Sequence, residues 1–260
     1  MSASASKVFI TGASSGIGLA LARHYAKQGA QLGLVARRSE LLHKLAAEFP
    51  GQCLVYVADV RAADTMATAA ANFLQQCGTP DIVIANAGVS RGTLTEDAAD
   101  IAAFRAVIEI NVLGLVHTFH PFIAAMRERG DGQLVGIASV AGIRGLPGAG
   151  AYSASKAAAI NYLESLRVEM AGSGIAVTTI APGYIRTPMT DVNQHRMPFL
   201  MDVDVAARKF AAAIAAKRRF VVIPWQMGIL ARLMRLMPAV LWDWGLKNAP
   251  RKARMNWDWL

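Results

Sequence analysis

The 260-residue chain has only two cysteines, Cys53 and Cys77, both in apolar surroundings. A disulfide framework is therefore not expected, and a reducing cytosol is. Metal-ligand spacing is missing too. The five histidines (His24, His43, His117, His120 and His195) have no cysteine or carboxylate partners at ligating spacing, so no metal site is expected. Residues 1–7 lack the apolar core of a signal peptide, and no internal repeat or low-complexity tract is present. Acidic side chains are scarce in one region. Residues 217–260 hold nine lysines and arginines against Asp243 and Asp258, which puts +7 of the net +9 there and leaves the rest nearly neutral. Basicity so confined is not the footprint of a nucleic-acid-binding surface, and no nucleic-acid partner is expected.

What is present is a regular alternation. Apolar strands are expected at residues 7–11, 31–36, 53–59, 81–86, 133–139, 175–181 and 220–223. Helices are expected from the first glycine turn to about 28, and over 39–49, 99–129 and 152–170. Such alternation implies an α/β chain with one Rossmann-type, doubly wound parallel sheet of about seven strands, helices on both faces. The expected division is one α/β domain over 1–224 and a basic, methionine- and tryptophan-rich extension over 225–260.

In a doubly wound sheet, ligands bind beyond the carboxyl ends of the strands, and the unusual residues gather there. The first strand runs into Gly12-Ala13-Ser14-Ser15-Gly16-Ile17-Gly18. Glycines at this turn let the backbone approach a pyrophosphate, and the helix that follows offers unpaired N–H groups. The spacing is G-x-x-x-G-x-G, not the commoner G-x-G-x-x-G, and no Gly-Lys-Ser/Thr follows to make a P-loop. Arg37 and Arg38 follow the second strand and Asp59 and Val60 the third. Asn86, Ala87 and Gly88 follow the fourth, Ser139 the fifth, and Pro182, Gly183, Ile185 and Thr187 the sixth. Tyr152 and Lys156 stand four apart on an expected helix, so both point into one cleft. An ammonium beside a phenol favours the phenolate and would draw its pKa down from about 10 toward the working range.

In order and spacing, these motifs over roughly residues 7–224 resemble the classical short-chain dehydrogenases/reductases. The resemblance implies nicotinamide-dependent hydride transfer. Tyr152 would be the general acid in carbonyl reduction and the base in alcohol oxidation, and Lys156 would hold the ribose hydroxyls and lower the Tyr152 pKa. Ser139 would polarise the substrate carbonyl. Asn111, a poor helix former within the 99–129 stretch, would distort that helix and position a water in a proton relay to Lys156. The turn residues Gly12, Ser14, Ser15, Gly16, Ile17 and Gly18 would cradle the cofactor, with Arg37, Arg38, Asp59, Val60, Asn86, Ala87 and Gly88 on its adenine-ribose side. Pro182, Gly183, Ile185 and Thr187 would complete the site, Thr187 at the carboxamide.

Cofactor choice follows from charge. NAD-selective dinucleotide folds place an acid near the end of the second strand, and here that stretch is Val35-Ala36-Arg37-Arg38. Arginine suits a 2′-phosphate, so NADP(H) is expected, with Arg37 the main determinant because Ser15 stands where a basic residue is often added. The region after Pro182 would form a substrate lid from Tyr184, Ile185, Met189, Met197, Phe199, Leu200 and Met201, with Arg91, Arg144, Arg186 and Arg196 near its rim. Flexible methionines suit an adaptable apolar pocket, which favours a lipophilic carbonyl or alcohol. A β-ketoacyl reductase and a catalytically silent NADP-binding sensor or scaffold remain alternatives, and a homo-oligomer is expected. Over 225–247, Ile229, Leu230, Leu233, Met234, Leu236 and Met237 fall on one helical arc opposite Gly228, Arg232 and Arg235. This arc would lie in a membrane interface, cap the pocket or make a dimer contact.

Overall fold

The computed structural model describes residues 5–193, 196–249, 251, 252 and 254. His195, residues 1–4 of the signal-peptide reading and residues 255–260 of the extension lie outside the described residues. The described strands are β1 (Lys7–Thr11), β2 (Gln31–Ala36), β3 (Cys53–Val57), β4 (Ile82–Ala85), β5 (Gly132–Ile137), β6 (Ile175–Pro182) and β7 (Phe220–Ile223). The helices are α1 (Gly16–Ala26), α2 (Ser39–Ala47), α3 (Ala63–Cys77), α4 (Asp100–Ile108), α5 (Gly114–Arg129) and α6 (Gly150–Glu169), followed by α7 (Pro188–Asp191), α8 (Val203–Ala215), α9 (Trp225–Leu236) and α10 (Ala239–Leu246).

The strands pair in parallel in the order β3-β2-β1-β4-β5-β6-β7. The chain is thus α/β and doubly wound, reversing direction between β1 and β4. Strands with helices on both faces bury both sets of side chains, which is why they read as near-continuous apolar runs. Leu21, Leu42, Leu45, Phe210 and Ile214 bring α1, α2 and α8 onto one face. Met66, Phe73, Phe119, Phe122 and Leu163 bring α3, α5 and α6 onto the other. There the rings of Phe9, Phe73 and Phe122 lie with centroids 4.8–6.3 Å apart. Gly33 makes room for them, since a Cβ there would meet the Phe9 ring at 2.5 Å.

The boundaries differ from the sequence expectation where polar residues intervene. β3 stops at Val57, which leaves Asp59 in the loop beyond it, and α6 starts two residues before Tyr152. The expected 99–129 helix is interrupted by a π-helical turn, Glu109–Leu113, centred on Asn111. Single π-turns inside α-helices mark functional positions. The whole run 100–129 is long and apolar enough to cross a bilayer by length and composition. Here, however, it packs on the sheet, with Phe119, Phe122 and Met126 fully buried. The 225–247 stretch is two short helices broken at Pro238.

Candidate active site

The reversal between β1 and β4 opens a crevice at the carboxyl ends of the strands. A cavity of about 400 Å³ there is lined from six strand ends: by Gly12 and Ser14 to Ile17, Arg37 and Arg38, Asp59 and Val60, Asn86 to Gly88, Ser139, and Pro182, Gly183, Ile185 and Thr187, with Tyr152 and Lys156 from α6. Two expected site residues sit behind this wall. Gly18 is buried where a Cβ would meet the Gly12 carbonyl oxygen at 2.3 Å and Asn86 Nδ2 at 2.5 Å. Asn111 is 1 % exposed.

The glycine turn is pinned to β4. Asn86 Nδ2 donates to the carbonyls of Thr11 at 3.0 Å and Gly12 at 3.3 Å, while Thr11 Oγ1 accepts from the backbone N–H of Asn86 and Ala87. Gly12 has φ +70°, which an L side chain rarely adopts. A Cβ there would also press on the Ala87 backbone at 2.9 Å. The turn is therefore open to a ligand and closed to side chains. Its residues fit a pyrophosphate over the α1 N-terminus.

At the end of β2 the structure redistributes the expected roles. Arg38, not Arg37, reaches across the turn, with Nη2 donating to Ser14 Oγ at 2.9 Å and Ser15 Oγ at 2.7 Å. Arg38 thereby brings a guanidinium to the place where Ser15 offers no charge. Arg37 Nη1 lies 4.0 Å from Asp59 Oδ2. Burial pushes the Asp59 carboxyl up, but hydrogen bonds from the Arg61 side chain and backbone outweigh it and hold Asp59 below the usual carboxylate range. The one acid near this end is thus shared between two arginines.

On the other side of the crevice stand the reactive groups. Ser139 Oγ accepts from the backbone N–H of Ala141 at 3.1 Å, which fixes the side chain at the end of β5. Lys156 Nζ donates to the Ile137 carbonyl at 2.8 Å and lies 5.9 Å from the Tyr152 ring centroid. Asn111 holds the loop after β4: its Oδ1 accepts from Val89 N at 2.8 Å, and its Nδ2 donates to Val89 O and Ser155 Oγ. The π-turn aims the Asn111 side chain at this loop rather than along the helix.

The expected depression of the Tyr152 pKa is not found. Burial pushes the phenol above its ordinary value, against a smaller opposing effect of the Ser139 hydroxyl. Burial also lowers Lys156 to about 8. Spacing four apart does bring both to one cleft, but the Lys156 ammonium spends a hydrogen bond on a backbone carbonyl. At neutral pH the Tyr152 phenol is therefore protonated and Lys156 is mostly charged.

Sequence reasoning missed Lys252. Its Nζ lies 5.4 Å from the Tyr152 ring centroid, and burial lowers it to about 8. Arg254, two residues on, pairs with Asp97 and, at 2.9 Å, with Asp100, which is 2 % exposed. No local pattern links these positions. Only the basic run itself was visible. Of the expected rim arginines, Arg144 is turned away from the cleft: its guanidinium donates to the Met234 and Met237 carbonyls and stacks on Trp242 at 4.5 Å. Arg91 pairs with Asp100 at 3.5 Å. Met189 does line the cavity, and Met201 is tied by backbone hydrogen bonds to Tyr184 and Arg186, whereas Phe199 is exposed.

The family described as short chain dehydrogenase matches residues 6–197. The chain belongs to that family. A short-chain dehydrogenase is thereby an oxidoreductase, and the fold and glycine turn are those the resemblance implied. An uncharacterized oxidoreductase of Myxococcus xanthus is 37 % identical over 237 residues, covering 90 % of this chain and 93 % of that protein. The crystal structure of a short-chain dehydrogenase from Streptomyces avermitilis superposes with a TM-score of 0.80 at 28 % identity, covering 93 % of this chain and 97 % of that one. The structure of a levodione reductase superposes with a TM-score of 0.76, also at 28 % identity, over 84 % of this dehydrogenase and 95 % of that chain.

Proposed function

We propose that this short-chain dehydrogenase is an NADPH-dependent carbonyl reductase, reversibly an NADP-dependent alcohol dehydrogenase, acting on a lipophilic small molecule. The observation that carries the reading is the single crevice in which Ser139, Tyr152 and Lys156 face a glycine turn topped by Arg38. Gly12 and Ser14 to Ile17 would hold the pyrophosphate, Arg38 and Arg37 the 2′-phosphate, Lys156 the ribose hydroxyls and Thr187 the carboxamide. When bound, the nicotinamide supplies or accepts the hydride. Ser139 donates a hydrogen bond to the substrate carbonyl oxygen, and Tyr152, kept protonated by burial, delivers the proton to the same oxygen as it gains negative charge. Lys156 is charged at neutral pH and opposes that developing charge. Asn111 holds the loop behind Gly88, which keeps the Lys156 side of the crevice in place.

Arg37 and Arg61 at Asp59, with Arg38 over the glycine turn, leave this corner with an excess of positive charge that favours a cofactor carrying an extra phosphate. The methionine-bearing lid favours an apolar substrate, and one relative in fold is named a levodione reductase. A panel of ketones and aldehydes, each followed by consumption of NADPH and of NADH, tests the reading. Turnover of apolar carbonyls with NADPH preferred supports it. Absence of turnover across the panel, with NADPH bound, contradicts it.

A further inference from the structure

All five tryptophans of the chain lie at or beyond position 225, and three of them, Trp225, Trp242 and Trp244, belong to α9 and α10. These helices are anchored firmly. Met227 and Ala231 are buried, and Gly228 faces Val222 of β7. Arg144 caps the carbonyls at the end of α9 and stacks on Trp242, and Arg235 Nη1 donates to the Ile143 carbonyl at 3.2 Å. This packing corrects the sequence arc, because Gly228 turns inward while Leu230 and Met234 are half-buried.

The outward face is apolar. Trp225, Ile229 and Leu233 form a stripe at four-residue spacing that continues through Leu236 into Val240 and Trp244 of α10, and these six side chains are 48–81 % exposed. Surface apolar residues occurring singly need no explanation, but a contiguous run on two rigid helices does. Charge identifies its occupant. The exposed Arg232 and Lys247 flank the stripe, and Asp243 is the one acid on either helix.

We propose that α9 and α10 form a docking face for an anionic membrane surface, with the tryptophans and leucines entering the headgroup boundary and the arginines and lysines contacting acidic lipid. Tryptophan favours that boundary, and an amphipathic helix with a basic border binds it through apolar burial and charge together. A second copy of this chain is the poorer occupant, because a two-fold contact would bring the exposed Arg232 and Lys247 of both copies into one interface. Spanning is excluded by length: 12 and 8 residues against the roughly 20 a crossing helix needs. The inward side of α9, opposite this face, is anchored near the reaction site. α9 packs on Gly183, which lines the crevice, and its C-terminal end is held by the loop after Ser139.

The test is co-sedimentation of the full chain with phosphatidylcholine vesicles, with and without phosphatidylglycerol, read also by tryptophan fluorescence. The expected result is binding and a blue shift with the anionic vesicles, weakened by salt and much weaker with phosphatidylcholine alone. Leu236→Asp with Val240→Asp, both at exposed positions, and separately Arg232→Glu with Lys247→Glu, should each lower partitioning at least about tenfold. Activity on a water-soluble carbonyl compound should not change, so failure of the docking and failure of the enzymatic reading are separable. A chain that stays in the supernatant with anionic vesicles overturns the proposal. If light scattering then shows Leu236→Asp with Val240→Asp splitting an oligomer, the face belongs to a second copy. Equal binding to both vesicle types overturns the role of charge.

Discussion

Replacing Arg38 with Ala removes a guanidinium that Ser14 and Ser15 hold over the glycine turn at 2.9 and 2.7 Å. A contact between such a group and a phosphate is worth about 1.5–3 kcal/mol, or roughly 10- to 150-fold in affinity. Two hydroxyls already fix the Arg38 guanidinium, so little rotamer freedom remains to be lost on binding. The upper part of that range is expected. Arg37 is 43 % exposed and shared with Asp59, so solvent screening puts Arg37→Asp near the lower end, at about tenfold. The assay is the ratio of kcat/KM for NADPH to that for NADH, with Arg37→Ala as a control for a new carboxylate beside Asp59. Both arginines border one ligand group, so the double variant should lose less than the sum of the two. Unchanged ratios in both single variants, with kinetics on NADH intact, would refute the assignment of the 2′-phosphate to this corner.

Three further outcomes follow from the geometry. Asn111→Ala strips the partners of Val89 and Ser155, and should cost about 2–4 kcal/mol, seen as a fall in Tm of roughly 5–15 °C. Lys156 titrates at about 8 in the folded chain, below the ordinary lysine value of about 10.4. Between those values the unfolded chain binds more protons, so this residue's contribution to stability rises with pH. Urea midpoints should show wild type gaining on Lys156→Met from pH 8 to 10, and a pH-independent difference would contradict this. Lys252→Met removes the cation over the Tyr152 ring, and should change KM for the carbonyl substrate by at least about threefold. Cofactor affinity, measured by protein fluorescence, should stay the same.

The seven strands and the crevice were readable because buried parallel strands are apolar throughout and because glycine, arginine and asparagine stand out at their ends. Asn111 was readable as a misfit in a helix, and the structure answers with a π-turn. Helices α3 and α8 were left unplaced: both are rich in alanine and carry none of the motif residues that drew attention to the other segments. Contacts between distant segments left no local trace. The grip of Arg38 on Ser15, the turn of Arg144 toward Met234 and the approach of Lys252 to Tyr152 span 23 to 100 residues. The pKa expectation failed for a related reason: spacing on a helix says which groups share a face, but burial decides what each proton costs.

The central claim is that Tyr152 delivers the proton that accompanies hydride transfer. Its most direct test is single-turnover reduction of a carbonyl substrate by Tyr152→Phe with NADPH bound, because phenylalanine keeps the ring and removes only the acid. Proton transfer by a positioned side chain contributes about 10²–10⁴-fold, so the rate should fall by at least about 100-fold while NADPH affinity is retained. A variant that reduced substrate at near the wild-type rate would contradict the account.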